Sequence, residues 1–79
     1  MNLEDVITQV VRQRPNAIAG HIKLLVRQHC QETGEVIPSE DDLCGALGRM
    51  SYFRQLTFSI DKHHIRHYRV NDRHTVQAA

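Results

Sequence analysis

The chain has 79 residues, a formal net charge of +1, two cysteines and no tryptophan. That length suits one small domain with a modest core, and two cysteines are too few for a disulfide framework. No apolar run approaches bilayer-spanning length and no signal peptide precedes the first helix, so a reduced, cytoplasmic protein without membrane contact is expected. The near-neutral balance excludes a generally adhesive polycation.

In chain order, the first element is an amphipathic helix. Asn2 can cap it, Glu4 and Asp5 occupy its first turn, and Leu3, Val6, Ile7, Val10 and Val11 recur at helical spacing. Arg12 and Arg14 sit at its negative end, and Pro15 stops it. A second helix is expected from Asn16 to Thr33. Its buried stripe reads Ile18, Ile22, Leu25, Val26 and His29, with Gly34 as its C-terminal cap. Cys30 and Cys44 both read as small hydrophobes on apolar helix faces. Val36 and Ile37 allow a very short strand.

A third helix is expected over residues 39–47. Ser39 can accept from the backbone of Asp42, whose side chain can reach back, and Glu40, Asp41 and Asp42 oppose the positive end of the helix dipole. Leu43, Ala46 and Leu47 share a face, and Gly48 is read as the helix end. Residues 51–60 admit two readings. At helical period Met50, Phe53, Leu56 and Ile60 coincide; at strand period Leu56, Phe58 and Ile60 alternate with Thr57 and Ser59. The first gives a recognition helix over 51–62, the reading favoured here. The second gives a short helix over 49–55 and a hairpin turning at Asp61–His64. Residues 65–70 read as a strand, and 71–79 as a flexible tail behind a single domain of residues 1–70.

Charge is unevenly distributed. Residues 32–42 hold Glu32, Glu35, Glu40, Asp41 and Asp42 without a base, whereas Arg49, Arg54, Lys62, Arg66 and Arg69 face one acid, Asp61, over residues 49–69. A capped helix, a glycine turn and then a basic, aromatic segment is an arrangement that fits a DNA major groove.

The run Ile37-Pro38-Ser39-Glu40, followed by Leu43, Leu47 and Gly48, resembles the Leu-Pro-Ser-Glu-x-x-Leu-x-x-x-Leu-Gly stretch of the winged helix-turn-helix domain of GntR regulators. The resemblance covers roughly residues 18–70. It implies a mainly α fold with a small β wing, built from three to four helices plus one strand or a β-hairpin. It also implies binding of double-stranded DNA and regulation of transcription or a related DNA transaction. Contacts would fall on Glu40 by identity. By position they would fall on Arg49, Ser51, Tyr52, Arg54 and Gln55 of the recognition helix, and on Lys62, His63, Arg66 and Arg69 of the wing. The chain departs from the family after Gly48, where Arg49-Met50-Ser51 replaces Val-Ser-Arg, and at the wing tip, where Lys62-His63-His64 replaces glycines. The helix before Pro15 is additional to that pattern.

Other chemistry is weaker. His63, His64 and His67 cluster, but on a strand His64 points away from the other two, so no three-ligand metal set converges and no cofactor is expected. His29 and Cys30 are helix neighbours about 100° apart, not a nucleophile–base pair, and no glycine loop cradles a phosphate, so no enzyme is expected. The competing function is a protein-binding winged-helix module, an inhibitor or adaptor acting without DNA. The acidic band favours it, and the extra first helix suits either a partner surface or a homodimer.

Overall fold

Local capping chemistry decides where the chain turns helical. In the computed structural model, which describes residues 2–72, α1 spans Leu3–Gln13 and α2 spans Ala19–Thr33. The third helix, α3, spans Glu40–Tyr52. Asn2 Oδ1 accepts the Glu4 N–H at 2.9 Å and opens α1. Ser39 Oγ accepts the Asp42 N–H at 3.1 Å while Asp42 Oδ2 accepts the Ser39 N–H at 3.4 Å, completing the capping box of α3. Gly34 closes α2 in the left-handed region, φ 74°, donating its N–H to the Cys30 carbonyl.

After the helices come β1, Leu56–Ile60, and β2, Arg66–Val70, paired antiparallel with Phe58 opposite Tyr68. The protein is therefore mainly helical with a small two-stranded sheet. A backbone bridge extends that sheet: Asn16 donates to the Tyr68 carbonyl and Tyr68 donates to the Ala17 carbonyl, both at 2.9 Å.

Several expectations need correction. No recognition helix forms over 51–62; Leu56–Ile60 is strand, because it pairs with β2 across its whole length. Gly48 does not end α3. The helix runs four residues further and so buries Met50, which continues the Leu43, Ala46, Leu47 stripe. Among the described residues Val36 and Ile37 form no strand and lie exposed. The start of α2 moves to Ala19 because Asn16 and Ala17 are spent on pairing with Tyr68. Ile18 becomes an exposed N-cap, and Leu25 and His29 are only half-buried. Cys30 is buried as expected; Cys44 is exposed.

The core is shared by every element. Val6, Ile7, Val10 and Val11 of α1 meet Ile22 and Val26 of α2, Leu43, Leu47 and Met50 of α3, and Leu56 and Tyr68 of the hairpin. Burying each large apolar side chain contributes about 1.5–3 kcal/mol. The first helix thus belongs to the common core. Residues 71 and 72, expected in the flexible tail, are tied to the domain: Asn71 donates from its backbone to the Gln55 carbonyl and from Nδ2 to the Arg54 carbonyl, and Arg12 pairs with Asp72 at 2.9 Å. The rest of that expected tail, 73–79, lies outside the described residues. No described helix is long and apolar enough to cross a membrane.

Candidate functional site

One face of α3 is buried through Leu43, Ala46, Leu47 and Met50, which fixes what the opposite face presents. That outward row reads Asp41, Cys44, Gly45, Gly48 and Tyr52. It is low in its middle, because a Cβ at Gly48 would meet nothing within 4 Å. Arg49 stands beside the row, with a guanidinium nitrogen 3.3 Å from where a Gly45 Cβ would sit, so it lies back along the helix over that glycine. Tyr52 ends the row and is 81% exposed.

The expected contact residues separate into distinct environments. Glu40 is not free. It takes Lys23 Nζ at 2.6 Å and Arg27 Nη2 at 2.7 Å, tying the first turn of α3 to α2. Those two cations hold its carboxyl below the ordinary range, the Lys23 hydrogen bond first, and Glu40 in turn raises Lys23. Cys44 Sγ also lies 3.7 Å from Glu40. Asp42 is occupied in the capping box. Asp41 alone among the first-turn acids has no partner among the described residues.

Ser51 does not face outward. Its Oγ is buried and is the one such side-chain oxygen or nitrogen without a hydrogen-bond partner among the described residues. Arg54 follows α3 in the left-handed region, φ 61°, and Gln55 donates its backbone N–H to the Met50 carbonyl at 2.8 Å, turning the chain into β1. Arg49, Tyr52 and Arg54 therefore gather at the end of α3, while Lys62 and His63 stand at the hairpin turn. About five residues of strand at roughly 3.3 Å each separate the two groups.

The hairpin does not carry one continuous basic face. Strand alternation and the register put Arg66 with Phe58 and Tyr68 on one side, and Arg69 with His67 on the other. Arg66 lies 4.3 Å from the centre of the Phe58 ring, a cation–π contact. The turn itself is built by Asp61. Its Oδ1 accepts the N–H groups of His63 at 2.8 Å and Ile65 at 3.1 Å, and Oδ2 contacts His67 Nε2 at 2.8 Å. His64 takes the left-handed φ of 63° that a glycine would otherwise supply.

Sequence reasoning missed two parts of this arrangement and, for Asp61, gave the turn only in the less favoured of two readings. His67 engages Asp61 and, through Nδ1, the Asn16 carbonyl at 2.9 Å, so its role is to fasten the hairpin. Asp61 builds the turn, which an Asx-turn signal at the end of an alternating run can reveal. Phe53, 60% exposed, stacks edge-to-face on Tyr52 with ring centres 5.1 Å apart. Among the described residues no three His, Cys, Asp or Glu side chains are grouped to hold a metal ion.

Comparison of the chain with protein-family models, curated proteins and solved structures gives no match.

Proposed function

We propose that the protein is a winged helix-turn-helix module that binds double-stranded DNA, with α3 in the major groove and the hairpin turn against the neighbouring backbone. The observation that carries this reading is the outward row of α3. It belongs to the last helix before the hairpin, and its small, exposed residues Cys44 and Gly48 let the helix approach a groove floor closely. A helix of 13 residues is about 20 Å long at 1.5 Å per residue. A major groove of about 12 Å admits such a helix. Asp41, at the N-terminal end, is placed to accept from a cytosine amino group; Arg49 and Lys62 supply phosphate contacts. The order of helices and hairpin agrees with that reading. The GntR-like run supports it only as far as Gly48, since α3 continues where that family begins a new helix.

The test is fluorescence anisotropy with labelled duplex at several salt concentrations. Binding is expected at low salt and weakens steeply as salt rises, because each neutralised phosphate releases counterions. Arg49→Ala and Lys62→Ala each flatten the slope by about one. A folded protein without affinity for duplex at low salt overturns the proposal.

One observation favours a second reading, a protein-binding module. Glu40 pairs with both Lys23 and Arg27, and the hairpin divides Arg66 from Arg69, so basic charge is dispersed. Under that reading α3 would dock on a partner, and duplex binding would be absent.

A further inference from the structure

Two aromatic rings at the end of α3 lie outside the core. Tyr52 is 81% exposed and Phe53 60% exposed, and their planes stand at 87°. The edge-to-face arrangement sets the edge of one ring on the face of the other, with ring centres 5.1 Å apart. The backbone beneath is held. Phe53 donates its N–H to the Arg49 carbonyl at 2.9 Å, Arg54 donates to Ser51 at 3.2 Å, and Asn71 Nδ2 clamps the Arg54 carbonyl at 2.7 Å. Two arginines adjoin the rings in the chain, although the Arg49 guanidinium lies back over Gly45. Arg49 is one turn earlier on α3, Arg54 follows directly, and neither enters an ion pair among the described residues. Arg54 also occupies a left-handed conformation, φ 61°, that an L side chain adopts at a cost.

The chemistry of a ring face selects its ligand. Bases inside a duplex stack on each other and offer a protein only their edges. An unpaired base offers a whole π-face, and exposed aromatics beside arginines capture such bases by stacking while the guanidinium groups meet the adjoining phosphates. We infer that Tyr52 and Phe53, with Arg54 next to them in the chain, form a stacking site for an unpaired nucleobase, so that the preferred ligand is duplex DNA bearing a short single-stranded extension. This rests on the duplex-binding reading: α3 carries the double-stranded part, and Tyr52, which ends its outward row, meets the strand where pairing stops. A protein partner is the competing occupant of the same rings. It requires apolar bulk but no π-face.

The experiment compares labelled probes of one sequence: blunt duplex, the same duplex with an overhang of several nucleotides on either strand, and the single strand alone. The overhang duplex is expected to bind about tenfold more tightly than the blunt one, the scale of one stacked base. The double variant Tyr52→Leu, Phe53→Leu keeps apolar bulk and removes the π-faces; it should bring the ratio of the two affinities close to one. Tyr52→Phe should keep that ratio. Circular dichroism melting of each variant verifies that it is folded. Equal binding of overhang and blunt duplex by the native protein overturns the stacking site and leaves the duplex reading intact. A leucine variant that retains the preference also overturns it. Binding of neither duplex nor single strand overturns both, and single-strand binding without blunt-duplex binding supports the stacking site while overturning the duplex reading.

Discussion

His67 and Asp61 meet across the hairpin at 2.8 Å, and both imidazole nitrogens of His67 face acceptors. The Asn16 carbonyl can only accept, so Nδ1 donates to it. The ionised Asp61 carboxylate also accepts, so Nε2 donates as well. Only the imidazolium satisfies both. Accordingly the Asp61 contact, followed by the Asn16 carbonyl, raises the His67 pKa above its ordinary 6.5, and His67, followed by the Ile65 N–H, lowers Asp61 below its ordinary 3.8.

A pH dependence follows. His67 has the higher pKa when folded, so its contribution is complete below pH 6.5 and lost as pH rises through the raised folded value. Asp61 has the lower pKa when folded, so its contribution is complete above pH 3.8 and lost as pH falls through the depressed folded value. The melting temperature is expected to be higher at mildly acidic pH than in alkaline buffer, and His67→Gln should flatten that difference. Melts of native protein and variant across the range isolate His67 from the other histidines. Parallel profiles would show that the contact does not form in solution.

Ser39→Ala removes the side-chain acceptor that starts α3 and should destabilise the domain by about 1 kcal/mol. Urea denaturation of the two proteins measures the difference. An unchanged midpoint and slope would mean that the capping box contributes nothing.

Glu40→Gln tests the bridge between α2 and α3. Losing the carboxylate releases the cations of Lys23 and Arg27, so affinity for nonspecific duplex should increase and the salt slope should steepen by about one or two. The melting temperature should barely change, because the Glu40 carboxylate itself is solvent-exposed. Weaker duplex binding by this variant would return Glu40 to the role of a direct contact.

Ile7→Ala tests whether the first helix is integral. Ile7 is fully buried, and truncating such a side chain costs about 2–5 kcal/mol, a large part of the stability of so small a domain. Leu24→Ala, at a half-exposed position on α2, should change little. Chemical denaturation of both variants distinguishes them, and similar midpoints would remove α1 from the core.

Caps were legible in the sequence because they are local. Asn2, Ser39 with Asp42, and Gly34 each act within a few residues of themselves. Gly48 misled because a stop signal was read without the apolar period running past it to Met50. The burial of Met50 outweighs the weak helix propensity of one exposed glycine. Residues 56–60 stayed ambiguous because Phe58 and Ile60 are partly exposed, so neither period is clean; pairing with β2 decides the matter, and pairing is not written in the segment itself. The candidate site was legible as a basic, aromatic segment around Arg49, Tyr52 and Arg54. That Ser51 turns inward and that Glu40 is neutralised from α2 depend on packing between distant elements, as does the His67 contact to Asn16, 51 residues away.

The pairing of Asn16 and Ala17 with Tyr68 also sets an order of events during synthesis. All three helices leave the ribosome before the strand that joins the hairpin to the start of α2. Until that strand emerges, Ala17 lacks its backbone partner and the apolar faces of α1 and α3 lack Leu56 and Tyr68. Domains fold as units, so this one closes only when its last described strand is free. A chain released short of Tyr68 would expose its helices' apolar faces to chaperones and proteases.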